Sequence, residues 1–328
     1  MGMDRAGVTF ASLMSLGPDT ALHTASLAAE LGYDSYWTAE TTGPEAFSLL
    51  AAVGAAAPSL GLGTGVLALQ LRTPMVVAMA GATLQALHPD RDIVLGIGIS
   101  SPVVTSRWHG VPYGDRPLAR TREYVTLLRA CLTGEKVEFA GDFYEVKGFR
   151  LGVRLGERRP KIVVGALNPK MLALAGEVAD GVALNYLPAS HVRWSVEQVR
   201  KGGPAEIYAY VHAGVCEREE GAELARRDLF SYAVVDAYAR SFERAGFGDE
   251  VTEIRARHAE GDRAGALAAV SDRMVDAIDV MGDAGTVEAT MRAYADAGVD
   301  VPVLMPLPWG ADRRASADLA IRAAIGRA

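Results

Sequence analysis

The segment Gly61-Leu-Gly-Thr-Gly-Val-Leu-Ala-Leu-Gln-Leu-Arg-Thr-Pro74 is an apolar run that ends in small residues, and Asp92-Ile-Val-Leu-Gly-Ile-Gly-Ile-Ser-Ser-Pro102 repeats this pattern. Each segment is typical of a buried strand that leads into a helix. Glycine inside a strand gives up side-chain packing, so it commonly marks a bulge or the close approach of another backbone or a flat ligand. Two such strand ends in succession indicate a surface kept clear for a planar cofactor.

Strand-like and helix-like segments alternate along the whole chain. This alternation indicates right-handed βαβ units and a parallel sheet. The eight predicted strands are Gly7–Leu13, Asp34–Ala39, Ser59–Leu69, Asp92–Gly98, Lys161–Val164, Gly181–Asn185, Glu206–Cys216 and Val301–Met305. They favour an α/β fold of the (β/α)8 TIM-barrel type over a doubly wound sheet, which normally has fewer strands per domain. Because no Pro/Gly/Ser-rich linker divides residues 1–328, we expect a single domain.

Two segments exceed what a barrel of this kind requires. Alternating residues around Ala140-Gly141-Asp142 predict a β-hairpin inserted at about 135–150. The segment Asp236–Asp283 carries helical patterns between the seventh and the last strand. We expect it to form either a lid over a substrate or a dimerisation element, and in the second case the protein would be a homodimer.

Composition excludes several classes of protein. A net charge of −7 and a pI near 5.5 argue against a nucleic-acid partner. The two cysteines, Cys131 and Cys216, belong to no Cys/His grouping, so we expect neither a metal site nor a disulfide. No apolar run reaches the ~18 residues of a membrane span, and no signal peptide is visible, which predicts a cytoplasmic protein. The sequence also lacks a nucleophile elbow, a Walker A motif and a dinucleotide fingerprint.

Polar residues follow several predicted strands at the end where a barrel carries its active site. Glu40 ends the second strand, and its carboxylate could bind a polar ring edge, handle a proton or cap the next helix. Ser100 and Ser101 end the fourth strand, and the loop behind them contributes His109. A histidine on such a loop is a candidate proton donor, although a lone histidine is more often structural.

The turn Gly165-Ala-Leu-Asn-Pro-Lys170 joins the fifth strand to a helix that starts with Pro169. Free backbone N–H groups at the start of a helix form an anion site, so this turn is a candidate phosphate-binding loop. Asn185 ends the neighbouring strand and could donate to the same phosphate.

The chain resembles the bacterial luciferase-like superfamily, whose members are flavin monooxygenases or oxidoreductases that use the deazaflavin coenzyme F420. The similarity covers nearly everything from Gly7 to Met305. It rests on motifs in a fixed order: Ala28-Ala-Glu-Leu-Gly-Tyr-Asp34, Arg72-Thr-Pro74, Leu95-Gly-Ile-Gly98, Arg122-Glu123, Gly141-x-x-Tyr144, and Gly165 through Ala179-Asp-Gly181.

The resemblance implies a (β/α)8 barrel with a ring system at its C-terminal mouth and a non-proline cis peptide at Gly65-Val66. It implies that Ala166, Leu167 and Asn168 grip the cofactor phosphate together with Asn185. The chain departs from well-known deazaflavin dehydrogenases at Glu40-Thr41 and Ser101, so their sugar-phosphate chemistry does not transfer. The predicted cofactor-binding residues are Gly65, Val66, Gly98, Ser100, Ser101, Gly165, Ala166, Leu167, Asn168 and Asn185.

Three functions are consistent with these patterns. The first is a coenzyme F420-dependent oxidoreductase that passes a hydride between the cofactor and a small organic substrate, with Glu40 or His109 relaying the proton. The second is an FMN-dependent monooxygenase of the same fold. The third is a cofactor-free barrel with a binding or assembly role. Bulky side chains that fill the mouth at positions 65, 98 and 101 would favour this role, but these positions carry Gly65, Gly98 and Ser101. All three of these residues are small, and we therefore expect the first function.

Overall fold

Eight parallel strands close into a barrel in the computed structural model, which describes residues 5–326. The strands of the described chain are β1 (Gly7–Thr9), β2 (Ser35–Thr38), β3 (Gly61–Thr64), β4 (Leu67–Ala68), β5 (Ile93–Gly98), β6 (Val137–Ala140), β7 (Glu145–Phe149), β8 (Lys161–Gly165), β9 (Gly181–Leu184), β10 (Glu206–Val215), β11 (Val280–Gly282) and β12 (Val301–Pro306). The order around the barrel is β1, β2, β3, β5, β8, β9, β10, β12, and pairing of β12 with β1 closes it. The predicted (β/α)8 fold is confirmed.

Helices surround the barrel: α1 (Pro18–Leu31), α2 (Ala46–Ala56), α3 (Pro74–Leu87), α4 (Pro117–Cys131), α5 (Pro169–Val178), α6 (Ala189–Arg200), α7 (Arg218–Ala233), α8 (Asp236–Phe242), α9 (Gly248–Ala259), α10 (Arg263–Ala268), α11 (Asp272–Ile278), α12 (Ala284–Asp296) and α13 (Arg313–Ala323). Proline begins α1, α3, α4 and α5, where its fixed φ suits the first turn and its missing N–H costs nothing. None of the described helices is both long and apolar enough to span a bilayer.

The first strand is shorter than the sequence predicts. β1 stops at Thr9, and a 3₁₀ helix occupies Ala11–Leu16. The Thr9 hydroxyl accepts a hydrogen bond from the Ala11 N–H at 3.1 Å, and the Leu13 N–H donates to the Phe10 carbonyl at 2.8 Å. These local bonds turn the chain across the top of the barrel, so Leu13 belongs to a helical turn and not to the strand.

Aromatic side chains fill the barrel interior. Trp37 of β2 lies 5.1 Å from Tyr208 and 6.5 Å from Tyr210 of β10, measured between ring centroids. Both tyrosines point inward because β10 alternates its side chains with period two. Rings of this size occupy most of the space inside an eight-stranded barrel, whose interior holds only side chains.

Glycines make room for these aromatic rings and for the bulge after β3. A Cβ on Gly63 would lie 2.5 Å from the Trp37 ring, and one on Gly65 would lie 1.7 Å from the Tyr210 hydroxyl oxygen. A Cβ on Gly96 would lie 1.9 Å from the carbonyl oxygen of Thr64. Of the explanations that the sequence offers for these glycines, a bulge, close approach of another backbone or a flat ligand, the structure shows contacts with the protein's own atoms at all three positions.

The predicted hairpin is formed by β6 and β7 and is anchored by one carboxylate. Glu123 of α4 accepts hydrogen bonds from the backbone N–H groups of Asp142, Phe143 and Tyr144 at 2.7–2.8 Å. A Cβ on Gly141 would lie 2.3 Å from the Glu123 carboxyl group. The motif residues Glu123 and Gly141 thus work together in fixing the turn of the hairpin.

The long segment after β10 forms a helical layer with its own core. Apolar residues of α7 to α11, such as Leu229, Phe242 and Ile254, are fully buried against one another and against Tyr186. The segment ends in β11, which pairs in parallel with the last residues of β10, Ala213–Val215. Sequence reasoning missed this strand because three residues are too few for a periodic signal.

Substituting Gly96→Ala is expected to destabilise the protein by about 3 kcal/mol, because the added methyl would overlap a backbone oxygen that cannot move freely. Gly248→Ala is the matched control, since a Cβ there meets nothing within 4 Å and the residue begins a helix. Its free energy of unfolding is expected to stay within about 1 kcal/mol of the unaltered protein. Urea denaturation measures both, and equal values for the two variants would contradict the packing argument.

Candidate active site

A cavity of about 530 Å³ opens at the C-terminal mouth of the barrel. Among the predicted site residues, Gly65 and Asn185 line it. The full lining is Ala11, Ser12, Met14, Ser15, Ala39, Thr41, Thr42, Gly43, Gly65, Asn185, Tyr210, Tyr232 and Met305. This set contains hydroxyl, amide and apolar groups but no charged side chain. Such a cavity is of the size and character that binds a small organic molecule or a cofactor ring.

Gly65 forms part of the cavity floor and is held from two sides. Its N–H donates to the Thr38 carbonyl at 2.7 Å, and its carbonyl accepts a hydrogen bond from the Tyr210 hydroxyl at 2.9 Å. The peptide bond that joins it to Val66 is cis. Burial raises the pKa of Tyr210 above its usual value, so its hydroxyl stays protonated and keeps donating.

The side chain of Val66 faces the strands beside the bulge. A Cβ on Gly98 would lie 2.7 Å from one of its methyl groups, and a Cβ on Gly165 would lie 3.2 Å from the other. Gly98 and Gly165 therefore receive Val66, and any contact with a ligand at this place would be made largely through Val66.

The two serines after β5 shape the backbone at the mouth. Ser100 adopts a φ of 60°, in the left-handed region that residues other than glycine rarely occupy. The Ser101 hydroxyl accepts a hydrogen bond from the Val104 N–H at 3.3 Å, at the start of a π-helical turn over Val103–Trp108. Neither serine lines the cavity, so their predicted contact with a cofactor stays a prediction.

Glu40 is engaged in a two-pronged ion pair at the edge of the mouth. Its two oxygens accept hydrogen bonds from Arg72 Nε at 2.9 Å and Arg72 Nη2 at 2.6 Å. Arg72 also pairs with Glu45, whose carboxylate caps α2 by accepting from the N–H groups of Phe47 and Ser48. The helix-capping role considered for Glu40 thus belongs to Glu45, and Glu40 holds Arg72 in place.

His109 lies at the rim and contacts the cavity wall. Its Nε2 lies 2.6 Å from the carbonyl oxygen of Thr41, a lining residue. Since a carbonyl oxygen only accepts, the Nε2 atom carries a hydrogen, and in the neutral ring Nδ1 is left as a proton acceptor. The side chain is exposed and can therefore exchange protons with solvent.

The candidate phosphate loop lies beside a cation from the long segment after β10. Asn168 precedes α5, and its side-chain oxygen accepts from Arg244 and not from the helix. The N–H groups of Lys170 and Met171, in the first turn, have no partner within the helix. The Nε atom of Arg244 is buried without a partner in the described chain. These free donors and this guanidinium form a site suited to an anion.

A buried polar cluster that sequence reasoning missed lies directly behind Asn185. His212 of β10 has its Nε2 atom 2.8 Å from Asn185 Oδ1 and its Nδ1 atom 2.9 Å from Asp279 Oδ1. The second oxygen of Asp279 is buried without a partner in the described chain. Because side chains alternate along β10, His212 lies on the same face as Tyr210, and this pattern could have identified His212 from the sequence. Asp279 follows α11, and no sequence pattern identifies it.

Burial governs the protonation of this cluster. It lowers the pKa of His212 to about 4 and raises the pKa of Asp279 well above its usual range. It also raises the pKa of the nearby Asp228 to about 7. Atoms of these three side chains lie within 4.8 Å of one another, but both ring nitrogens of His212 are already engaged, which disfavours a metal ion here.

Comparison with known proteins identifies the family. A family model described as luciferase-like monooxygenase matches residues 7–301. The chain belongs to the luciferase-like family. It is thus an enzyme of a family that contains both oxidoreductases and monooxygenases, as the motifs from Ala28 to Gly181 indicate.

Individual relatives fall on both sides of this family. A Mycobacterium tuberculosis protein provisionally named a coenzyme F420-dependent oxidoreductase is 29% identical, with 88% of this chain and 90% of the relative covered. The coenzyme F420-dependent tetrahydromethanopterin reductase of Methanopyrus kandleri superposes with a TM-score of 0.81 at 22% identity, covering 98% and 97% of the two chains. The oxygenating constituent of a Pseudomonas putida diketocamphane monooxygenase, solved with FMN, gives 0.66 at 16% identity, covering 99% and 98%.

The raised pKa of Asp228 predicts a pH dependence of stability. A carboxyl group whose pKa is higher in the folded than in the unfolded protein stabilises the fold below about pH 4, and this contribution is lost as the pH rises to about 7. Asp228→Asn keeps an acceptor for the Tyr186 hydroxyl, which donates to Asp228 at 2.8 Å, but cannot ionise. The variant should therefore gain stability relative to the unaltered protein between pH 5 and pH 8, as measured by thermal unfolding.

Asp236→Asn is the control for this measurement. Asp236 is exposed, and its pairing with Arg255 lowers its pKa, so its contribution changes in the opposite direction and below pH 5. A stability difference for Asp228→Asn that is constant from pH 5 to pH 8 would contradict the assignment.

Proposed function

We propose that this protein is a coenzyme F420-dependent oxidoreductase that transfers a hydride between the cofactor and a small organic substrate at the mouth of the barrel. The observation that carries the proposal is that Gly65 and Asn185, both expected to contact the cofactor, line one uncharged cavity. The mycobacterial and methanogen relatives support the choice of coenzyme F420. The uncharged lining supports a neutral substrate, because a charged group would meet no counter-charge there.

The described residues fit a phosphorylated ring cofactor. Arg244 offers a buried Nε atom without a partner, and the first turn of α5 offers free N–H groups beside it. Asn185 offers its amide group from the neighbouring strand. These residues would hold the phosphate, and Gly65 and Val66 would support the ring.

When bound, the deazaflavin supplies or accepts the hydride. The protein contributes position: the Tyr210 hydroxyl holds the Gly65 carbonyl, and the aromatic layer beneath it keeps the floor from moving. Holding two reacting carbons about 3–3.5 Å apart supplies a large part of such a rate enhancement.

The proton that accompanies the hydride is assigned to His109. Its Nε2–H is fixed by the Thr41 carbonyl, and its Nδ1 atom remains available, whereas both oxygens of Glu40 are engaged by Arg72. Glu40 then holds Arg72 in place at the edge of the mouth, and Arg72 in turn pairs with Glu45. Of the two proton-relay candidates that the sequence leaves open, Glu40 and His109, the proposal therefore takes His109.

An FMN-dependent monooxygenase is the second candidate. The family model is described as luciferase-like monooxygenase, and the FMN-bound diketocamphane monooxygenase has the same barrel as this chain. Both observations favour this candidate. The phosphate site described above suits either cofactor. The two functions differ in the cofactor bound and in the use of oxygen.

Binding of each cofactor alone tests the proposal. Fluorescence titration is expected to give a response to F420 at micromolar concentration and a clearly weaker response to FMN. Arg244→Gln should weaken F420 binding by roughly tenfold, in line with a lost charge-assisted hydrogen bond. Arg263→Gln is the control, because Arg263 also stacks on an aromatic ring but lies on α10. Tight FMN binding without a response to F420 would overturn the proposal.

His109→Ala is expected to lower kcat roughly 10²-fold and to leave the Kd of F420 within about threefold, since proton transfer by a side chain contributes about that factor. His258→Ala, at the end of α9, controls for the loss of an exposed histidine. The assay is oxidation or reduction of F420 with a panel of neutral alcohols, aldehydes and ketones. An equal loss for Glu40→Gln, with unchanged binding, would transfer the role to Glu40.

A further inference from the structure

The buried pair His212–Asp279 touches the cavity through one residue, Asn185. The His212 ring is 2% exposed and Asp279 is fully buried, yet no part of the proposed chemistry uses either side chain. Burial of such a polar pair is weak evidence for a role in stability. Its contact with Asn185 connects it to the cavity wall.

The orientation of the Asn185 amide follows from its neighbours. The Tyr186 backbone N–H lies 3.0 Å from Asn185 Oδ1, and a backbone N–H only donates, so the atom facing it must be oxygen. The same oxygen lies 2.8 Å from His212 Nε2, and that nitrogen must therefore carry a hydrogen. The Nδ2 group of Asn185 has no partner among the described residues and is not shut off from solvent.

Asp279 completes the arrangement. With the Nε2 atom of His212 donating to Asn185, the neutral ring leaves Nδ1 as an acceptor. The raised pKa of the Asp279 carboxyl and the lowered pKa of His212 then place a proton on Asp279 Oδ1, which donates it to Nδ1 over 2.9 Å. Every hydrogen bond runs in one direction, from Asp279 through His212 to Asn185. The aromatic ring of Tyr186 packs edge-on at 4.2 Å and prevents the imidazole from turning.

We propose that His212 and Asp279 are positioning residues that hold the Asn185 amide with its NH2 group toward the cavity, making this point of the mouth a donor for a phosphate or carbonyl oxygen. The ligand identity rests on the proposed function, whereas the orientation does not. A cavity wall that donates at this point selects against ligands that present only hydrogen-bond donors there, such as an ammonium group.

The histidine tautomer tests the orientation without any ligand. The chain has six histidines, and 15N-labelled histidine with a His212→Phe spectrum for assignment isolates the His212 signals. The expected result is a ring that keeps its Nε2 hydrogen between pH 5.5 and pH 8, whether or not Nδ1 is also protonated. A ring protonated on Nδ1 alone would reverse the amide, turn Asn185 Oδ1 toward the cavity and overturn the proposal. The tautomer is read from the unaltered protein, and the variant serves only to assign the His212 signals.

A double-mutant cycle tests the link to binding, with F420 and FMN as separate probes. Asn185→Ala and His212→Phe should each weaken binding of the cofactor that the protein uses by roughly fivefold to tenfold, and together no more than Asn185→Ala alone. Asp279→Asn should stay within about threefold, because its amide can donate to Nδ1, whereas Asp279→Leu should resemble His212→Phe. His23→Gln is the control, since it breaks a His–Asp pair between α1 and α13.

Effects of Asn185→Ala and His212→Phe that multiply would mean that His212 affects binding independently of Asn185 and would overturn the positioning role. If the unaltered protein binds neither F420 nor FMN, the proposed function fails. The tautomer then still decides whether the pair orients Asn185.

Discussion

The hydrogen bond from the Tyr210 hydroxyl to the Gly65 carbonyl crosses the barrel from one wall to the other. Three barrel strands separate β3 from β10 on either side, so this contact spans the full width of the mouth. It requires that residue 65 have no side chain, and it places Val66 against Gly98 and Gly165. This contact fixes the Gly65 carbonyl at the floor of the cavity, above the aromatic layer that Trp37 forms with Tyr210.

The sequence predicts the barrel well and its interior poorly. Eight strands and their order follow from the alternation of short apolar runs with helical patterns, which depends on local residues only. The reason for Gly63 and Gly98 lies in Trp37 and Val66, which pack against them across strand boundaries. No local pattern contains that information, so the sequence alone favours a planar ligand as the explanation for these glycines. The end of β1 at Thr9 likewise depends on a side-chain bond that period-two alternation does not reveal.

The candidate site likewise contains some residues that the sequence predicts and others that it does not. The sequence predicts Asn185 and the turn before α5 as site residues because they follow strands, and strand ends meet at one rim. The groups that control them come from the segment after β10: Arg244 reaches Asn168, and Asp279 reaches His212. These partners are 76 and 67 residues apart in the chain, and neither carries a recognisable motif.

The pairing of β11 with the end of β10 limits how the barrel could be recombined with other members of its family. The helices α7 to α11 have a separate apolar core, which by itself would suggest that they can be exchanged as a unit. Yet the same segment delivers Asp228, Asp279 and a strand that covers an edge of β10. Exchanging it for a shorter loop would leave a buried imidazole without its acid and a row of backbone groups without partners. Grafts that begin before Arg218 and end after Gly282 must therefore carry an equivalent strand and acid.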